Sequence, residues 1–333
     1  MAQPVIDAHT HLLVKEAEVL AAQIRPNYPS NAGIDFQGIE SRKVNREKFQ
    51  DIRKGLMDVK TKLNDMDRMG VGLAVLSASP MSYYAWAEGE DASRLSRLQN
   101  EAMSEITSKY PDRFIALATI PLQDLNLGIA ELTYAVKTLG HKGVMIQTNF
   151  RGRDLDHPIF EPFYDLLETL DVPLFLHPHD VAGFERCQDY YLTNLIGNPL
   201  DTTIAVSRML LGGVFEGHPG LKVCLVHGGG QFPYIKGRLD HGYRERSEVR
   251  KRANKEPSAF LGQIWFDTTT HWDPALRFLI QEFGADHVYL GSDYPFDMAD
   301  RNCVERVRRI GLSREAGEKI LGRNMAALLR LSL

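Results

Sequence analysis

The chain has few cysteines, and they are not arranged in pairs that form disulfides or bind metals. Cys187, Cys224 and Cys303 are an odd number, lie far apart in sequence and include no C-x-x-C pair. This pattern argues against a disulfide framework and against a thiolate zinc site. We therefore expect a reducing, cytoplasmic location.

The sequence also lacks long apolar runs and a strong excess of either charge. No apolar stretch approaches the roughly 20 residues that span a bilayer, and the N-terminus lacks the basic region and apolar core of a signal peptide. The 39 basic and 43 acidic residues leave a formal charge of -4. Because nothing draws the whole chain to polyanions, we expect neither a nucleic-acid nor a membrane partner.

The 333 residues contain no internal repeat, low-complexity segment or linker, which predicts a single domain over residues 1–333. Short apolar runs alternate with longer amphipathic stretches, a pattern typical of βα units around a parallel sheet. Eight such runs at this length favour a (β/α)₈ barrel of the TIM type over an open doubly wound sheet. The predicted strands lie near residues 5–7, 72–76, 114–119, 143–146, 173–176, 222–226, 264–266 and 288–290.

Two segments depart from this alternation. Residues 12–56 show no sustained periodicity, which predicts an insertion after the first strand that lies as a lid over the catalytic face. Residues 313–331 predict a helical segment that closes the fold, with Ser313 as its cap. The other predicted helices cover residues 60–69, 92–109, 125–139, 160–170, 202–215, 232–246 and 274–283.

A His-x-His motif ends the first predicted strand. Side chains alternate across a strand, so His9 and His11 project to the same side and can both bind one metal ion. Two histidines near a terminus can also simply be solvated, and short metal-like patterns are common by accident. The motif therefore needs support from the rest of the chain.

Further polar residues follow three other predicted strands. His177, His227 and Asp293 each come directly after a largely apolar run, at the strand ends where barrel enzymes place their chemistry. A buried imidazole needs a partner, and a metal ion is one. Three imidazoles and a carboxylate suit Zn²⁺ and are acceptable to Mn²⁺ or Fe²⁺. We predict one catalytic ion with His227 as an unligated acid/base, and the predicted ligands are His9, His11, His177 and Asp293.

Two motifs favour a mononuclear site without a serine nucleophile. The fourth predicted strand ends in Ile146-Gln147-Thr148, without a lysine that could be carbamylated to bridge two ions. Residues 227–230, His-Gly-Gly-Gly, are similar to the oxyanion loop of lipases, but the chain has no G-x-S-x-G motif. We expect these glycines to let the backbone turn tightly beside the site.

With these residues assembled, the chain resembles the amidohydrolase superfamily, in the branch typified by 2-amino-3-carboxymuconate-6-semialdehyde decarboxylase. The resemblance implies a distorted barrel with one divalent ion, no organic cofactor, and the ligands and acid/base named above. It also implies a homodimer in which Arg238 reaches the neighbouring site to bind a substrate carboxylate, and a Phe296 that packs against substrate. The motifs that carry the resemblance lie at residues 7–11, 120–124, 176–180, 226–230, 237–240 and 291–296.

The chain departs from this branch at positions expected to face the substrate. His179 stands where the decarboxylase has tryptophan, and Asn194 replaces a second expected tryptophan. We expect both residues to contact substrate. The second substrate arginine has no unambiguous counterpart, since Arg46 and Arg53 both compete for that role.

The sequence thus predicts a metal-dependent, non-oxidative decarboxylase of an unsaturated or aromatic acid that carries hydroxyl or amino groups. His227 and a metal-bound water would handle proton transfer, with Asp293 also part of the catalytic group. The alternative is a hydrolase or hydratase that uses the same ligands on a lactone, an amide or a conjugated acid. A non-catalytic metal-binding barrel is the third hypothesis, and the free imidazole of His227 argues against it.

Overall fold

Eight parallel strands surround a common axis in the computed structural model, which describes residues 4–26 and 38–332. They pair as β1-β2-β3 and as β4-β5-β6-β7-β8. Backbone hydrogen bonds from Ala118 to Gly143 and from Ala8 to Leu290 join the two sheets at both edges and complete the ring. The strands are β1 (Ile6–Leu12), β2 (Leu73–Ala78), β3 (Phe114–Ala116), β4 (Val144–Gln147), β5 (Leu174–His177), β6 (Val223–Leu225), β7 (Ile264–Asp267) and β8 (Val288–Tyr289).

Helices connect these strands and cover the outside of the barrel. In α6, for example, Phe163 and Leu167 lie four residues apart and are both buried, as expected for one face of an amphipathic helix. Among the helices of the described residues, none has the length and apolar character needed to cross a bilayer. The helices are α1 (Lys15–Ile24), α2 (Ile39–Met57), α3 (Val59–Met69), α4 (Gly89–Lys109), α5 (Leu125–Lys137), α6 (Glu161–Leu170), α7 (Asn198–Leu211), α8 (Val214–Gly217), α9 (Phe232–Glu245), α10 (Asp273–Phe283), α11 (Cys303–Arg309), α12 (Arg314–Glu318) and α13 (Asn324–Leu328).

The alternation of side chains along each strand creates two hydrophobic cores. On β4, Val144 and Ile146 pack in the outer core beneath the helices, whereas Met145 packs in the inner core. Phe175 of β5 belongs to the same inner core. Since side chains two residues apart lie on the same face of a strand, Gln147 and His177 face the barrel axis at its C-terminal mouth.

The eight predicted strands are confirmed, with boundaries within a few residues. The predicted helix over residues 202–215 is wrong as a continuous element, because α7 ends at Leu211 and Gly213 has a left-handed backbone with φ +82° before α8 begins. The predicted C-terminal helical segment is confirmed, and the Ser313 hydroxyl accepts a hydrogen bond from the Ala316 amide at 3.2 Å.

The predicted insertion over residues 12–56 contains two helices, α1 and α2, with residues 27–37 outside the described residues. α2 is dense in charged residues, which hides its helical periodicity. It begins at Ile39 and packs its C-terminal end closely against the segment after β8, where a Cβ added at Gly55 would meet Pro295 at 2.6 Å. The role of this segment as a lid stays a prediction.

Candidate metal centre

Four side chains that the sequence singled out converge at the C-terminal mouth of the barrel. His9 and His11 lie on β1, His177 ends β5, and Asp293 follows β8. Each offers one ligand atom, and these atoms all lie within 4.8 Å of one another. All four side chains are buried. The structure therefore places the predicted ligands around one point.

An irregularity in β1 helps to aim both histidines inward. Ile6 and Ala8 already face the inner core, yet His9 joins His11 at the axis, with ring centroids 5.1 Å apart. The pairing of β1 with β2 shifts register between Asp7 and Thr10. Such bulges change which face a side chain occupies and are common beside active sites.

Two of the histidines use one ring nitrogen to contact the protein and direct the other toward the centre. His9 Nδ1 lies 2.7 Å from Asp267 Oδ2, and His177 Nδ1 lies 2.9 Å from the Pro178 carbonyl oxygen. Both partners can only accept, so each imidazole carries its proton on Nδ1. Among the described residues, the buried Nε2 atoms of His9 and His177 have no hydrogen-bond partner, although His9 Nε2 lies 3.3 Å from Asp293 Oδ1. Their lone pairs suit a cation, which satisfies these atoms where the protein does not.

The third histidine is oriented by a hydroxyl group. Ser77 Oγ donates to the Thr10 carbonyl oxygen at 2.9 Å, and therefore acts as acceptor for His11 Nδ1 at 3.1 Å. His11 Nε2 then faces Asp293 Oδ1 at 3.2 Å. The donor set of three imidazole nitrogens and one carboxylate oxygen fits a divalent transition metal.

The electrostatics of the centre also favour a cation. Burial lowers the pKa of His11 to about 4 and holds that of His177 well below its usual value, which keeps both imidazoles neutral. Burial opposes the charge of His9 as well, but the carboxylates of Asp293 and Asp267 outweigh it and raise the pKa of His9. The two buried carboxylates, Asp267 and Asp293, attract a metal ion, whose binding would displace a proton from His9.

His227 stands beside the four converging side chains without being one of them. Its ring centroid is 5.2 Å from those of His9 and His177, and its Nε2 lies 3.5 Å from Asp293 Oδ2. Its side chain is 15 % exposed, in contrast to the fully buried His9. This position leaves His227 open to the cleft while keeping it next to the centre.

The backbone around His227 explains the three glycines that follow it. His227 has φ +54°, and Gly228, Gly229 and Gly230 also have positive φ. A Cβ at Gly230 would lie 2.2 Å from the Pro199 carbonyl oxygen. These residues therefore form a tight turn that brings the start of α9 close to the centre, as the sequence predicted.

A cleft with two lobes opens at His227 and Asp293. The metal lobe has a volume of about 170 Å³ and reaches His177 and Phe296. The outer lobe has a volume of about 720 Å³ and is mainly apolar, with exposed aromatic side chains such as Trp272. Asn194 and Asn198 line both lobes, along with His227 and Asp293.

Three of the predicted substrate-binding residues line this cleft. His179, Asn194 and Phe296 all border the metal lobe, and the Phe296 ring centroid is 5.1 Å from that of His11. Arg238 does not: it is exposed on α9 and is absent from the lining of both lobes. The structure shows one protomer, so the predicted contact of Arg238 with a neighbouring site stays a prediction.

Neither candidate arginine of the insertion reaches the cleft in the described residues. α2 lines the metal lobe with Asn45, Lys48, Phe49 and Ile52, a spacing that defines one helical face. Arg46 and Arg53 lie on other faces, and Arg53 Nε contacts the Met57 sulfur at 3.4 Å. The cation that α2 brings to the lobe is Lys48.

Asp267 is a site residue that sequence reasoning missed. It is completely buried at the end of β7 and holds His9 in place. Its Oδ1 also accepts hydrogen bonds from the Gly228 amide at 2.7 Å and the Thr269 amide at 3.0 Å. The sequence did carry a signal, because Asp267 directly follows the apolar run 264–266, as the recognised residues follow theirs.

The sequence matches a known protein family and is similar to a known enzyme. Residues 6–331 match the family model described as amidohydrolase. The chain is 32% identical to a 2-amino-3-carboxymuconate-6-semialdehyde decarboxylase of Dictyostelium discoideum over 98% of this chain and 91% of that protein.

Solved structures share the fold. A 5-carboxyvanillate decarboxylase from Sphingomonas paucimobilis matches with a TM-score of 0.87 at 23% identity, covering 99% of this chain and 100% of that chain. A dihydroxybenzoic acid decarboxylase from Polaromonas sp. JS666, with bound manganese and the inhibitor 2-nitroresorcinol, matches with a TM-score of 0.83 at 23% identity, covering 99% of this chain and 98% of that chain.

Proposed function

This chain belongs to the amidohydrolase family, in its branch of metal-dependent non-oxidative decarboxylases, and we propose that it removes CO₂ from an aromatic or unsaturated acid bearing hydroxyl or amino groups. The observation that carries this proposal is the position of His227, which lies beside the four converging side chains that could hold a metal ion and is not one of them. A proton donor next to a bound anion is what decarboxylation without a redox cofactor requires.

His227 is the residue that moves the proton. In its protonated form it donates a proton to the ring or chain carbon that bears the carboxylate. The carbon–carbon bond then breaks, its electron pair returns to the substrate, and CO₂ leaves. His227 ends neutral and regains a proton through its exposed edge, which faces the cleft. Asp293 Oδ2 lies 3.5 Å from His227 Nε2 and keeps the imidazole beside the centre.

His9, His11, His177 and Asp293 would hold the ion, and we propose zinc, with manganese as the alternative. Bound there, the ion would supply a positive charge that fixes the substrate oxygens and neutralises them. Three imidazoles and one carboxylate are donors of intermediate hardness, which supports zinc over a harder ion. The manganese in the Polaromonas relative supports the alternative.

We place the substrate ring in the metal lobe. Phe296 offers an apolar face there, and His179 and Asn194 offer polar contacts. Lys48, rather than Arg46 or Arg53, would meet a second anionic group of the substrate, since α2 directs it to this lobe. The segment 12–56, carried on the single domain 1–333, would act as a lid because α2 forms one wall of the lobe.

We further propose a homodimer in which Arg238 acts across the interface. Arg238 is exposed and lies outside the cleft of its own protomer, which fits a role in a neighbouring site. A guanidinium binds a carboxylate bidentately and keeps its charge. A reducing, cytoplasmic location is supported by Cys187, Cys224 and Cys303, which are all buried and unpaired.

Mixing two inactive variants tests the role of Arg238. Unfolding and refolding Arg238→Ala together with His227→Asn should restore roughly a quarter of wild-type activity, because a mixed dimer regains one intact site when Arg238 acts in trans. Each variant refolded alone is the control. Recovery that never exceeds the sum of the two controls would place Arg238 in its own site or outside catalysis.

Carbon dioxide release tests the function as a whole. The purified, metal-loaded protein should release CO₂ from at least one of 2,6-dihydroxybenzoate, 5-carboxyvanillate and 2-amino-3-carboxymuconate-6-semialdehyde. Removal of metal with a chelator should abolish turnover, and zinc or manganese should restore it, with metal content measured by mass spectrometry. Hydrolysis of a lactone or amide panel without CO₂ release would instead establish the hydrolase alternative.

A further inference from the structure

The mouth of the barrel holds a buried glutamine that the proposed mechanism does not use. Gln147 ends β4 and pairs in register with His177 on the neighbouring strand β5. Residues paired across parallel strands point to the same face, so Gln147 faces the barrel axis at the level of a metal ligand. Gln147 thus occupies the end of the fourth strand, where the chain has no lysine that could bridge two metal ions.

The Gln147 amide has no hydrogen-bond partner among the residues that the structure describes. The residue is 3% exposed, and both its Oε1 and its Nε2 are buried without a hydrogen bond. Exchanging the positions of the amide oxygen and nitrogen would not supply a hydrogen bond, since neither position has a partner among the described residues. Leaving such groups unsatisfied destabilises a folded protein, and native structures rarely do so without a reason.

A second buried polar group without a hydrogen-bond partner among the described residues lies near Gln147, and both groups border one small void. The hydroxyl of Tyr83 is buried and has no hydrogen-bond partner in the described part of the chain, and its ring lies 5.7 Å from that of His179 in the metal lobe. Tyr83 and Gln147 both line a void of about 10 Å³, otherwise bounded mainly by apolar residues such as Met145 and Phe150. This space is close to what one water-sized atom requires.

We propose that Gln147 and Tyr83 form a subsite for one hydroxyl group of the substrate. The Gln147 amide offers a donor and an acceptor, and the Tyr83 phenol offers one of each. A hydroxyl can accept from Nε2 and donate to Oε1, whereas a carboxylate has no proton for Oε1. An ordered water has the same chemistry, and the binding of two acids that differ by one hydroxyl separates the two sources. This inference rests on the proposed function, because it assigns the substrate a hydroxyl beside the bound ring.

Binding to a matched pair of acids tests the subsite without requiring turnover. We would measure dissociation constants of 2,6-dihydroxybenzoate and 2-hydroxybenzoate, which differ by one ring hydroxyl, by calorimetry on the metal-loaded protein. The wild type should bind the dihydroxy acid about tenfold more tightly. Gln147→Met and Tyr83→Phe should each reduce that ratio toward one, mainly by weakening the dihydroxy acid.

Gln99→Met is the matched control, because Gln99 is equally buried but lies on α4, where its Nε2 donates to the Leu95 carbonyl oxygen at 3.3 Å. It should leave the binding ratio unchanged. Thermal unfolding adds a second readout. If the Gln147 amide is unsatisfied in the ligand-free protein, Gln147→Met should keep or raise the melting temperature.

The possible results are distinct. A wild type that binds the two acids equally, or binds neither, would overturn the subsite. An unchanged ratio in Gln147→Met would overturn it too, and a lower melting temperature in the same variant would assign the void to an ordered water only. CO₂ release by the wild type is recorded separately on 2,6-dihydroxybenzoate, 5-carboxyvanillate and 2-amino-3-carboxymuconate-6-semialdehyde, so binding discrimination without turnover of any of them would contradict the proposed function and not the subsite.

Discussion

Replacing His227 with asparagine should lower kcat by about two to four orders of magnitude while the protein keeps its metal. Asparagine preserves a polar group at this position but cannot transfer a proton near neutral pH. It also tolerates the left-handed backbone that His227 adopts with φ +54°, so the turn before the glycines should fold normally. Turnover and metal content, measured on the same sample, check both parts of this prediction.

The geometry explains why metal should stay. The four converging ligand atoms come from His9, His11, His177 and Asp293, and His227 is not in that group. His157→Asn is a suitable control, because His157 is exposed, and its Nδ1 accepts from the Ile159 amide at 3.2 Å, which asparagine can also do. Loss of metal in His227→Asn would show that His227 is a ligand and would remove the basis of the proposed proton transfer.

The strands and the ends of the strands were predictable because both depend on local sequence. An apolar run of four or five residues, such as 173–176, becomes a strand buried on both faces, and the polar residue after it reaches the mouth of the barrel. The same rule would have found Asp267 after residues 264–266. What the rule does not supply is the partner of each side chain, since the contact of Asp267 with His9 joins residues 258 positions apart.

The wall of the cleft was less predictable, because it depends on the rotation of a helix. α2 carries basic residues around its circumference, and only its placement against the barrel decides that Lys48 faces the metal lobe while Arg46 and Arg53 do not. The sequence also gives no sign that the Gln147 amide lacks hydrogen-bond partners in the described part of the fold. The surroundings of this amide depend on the register of β4 against β5 and on the position of Tyr83 across the void.

Replacing Asp267 with asparagine should weaken metal binding by about 10–100-fold, although the two side chains have nearly the same shape. Asp267 Oδ1 accepts from the backbone amides of Gly228 and Thr269, and these two donors would hold the oxygen of asparagine in the same place. The new amide group would then face His9 Nδ1, where Asp267 Oδ2 now accepts at 2.7 Å. His9 could satisfy that donor only by moving its own proton to Nε2.

With the proton on Nε2, His9 cannot donate a lone pair to the ion, so one of the four ligands is lost. Competition with a chelator of known affinity measures the change, and excess metal should restore part of the activity. Glu131→Gln is the control: it is also a buried acid-to-amide change, and it weakens the contact with Arg97 far from the centre. It should lower thermal stability without altering metal affinity. Wild-type metal affinity in Asp267→Asn would mean that the tautomer of His9 is set by the ion itself and not by Asp267.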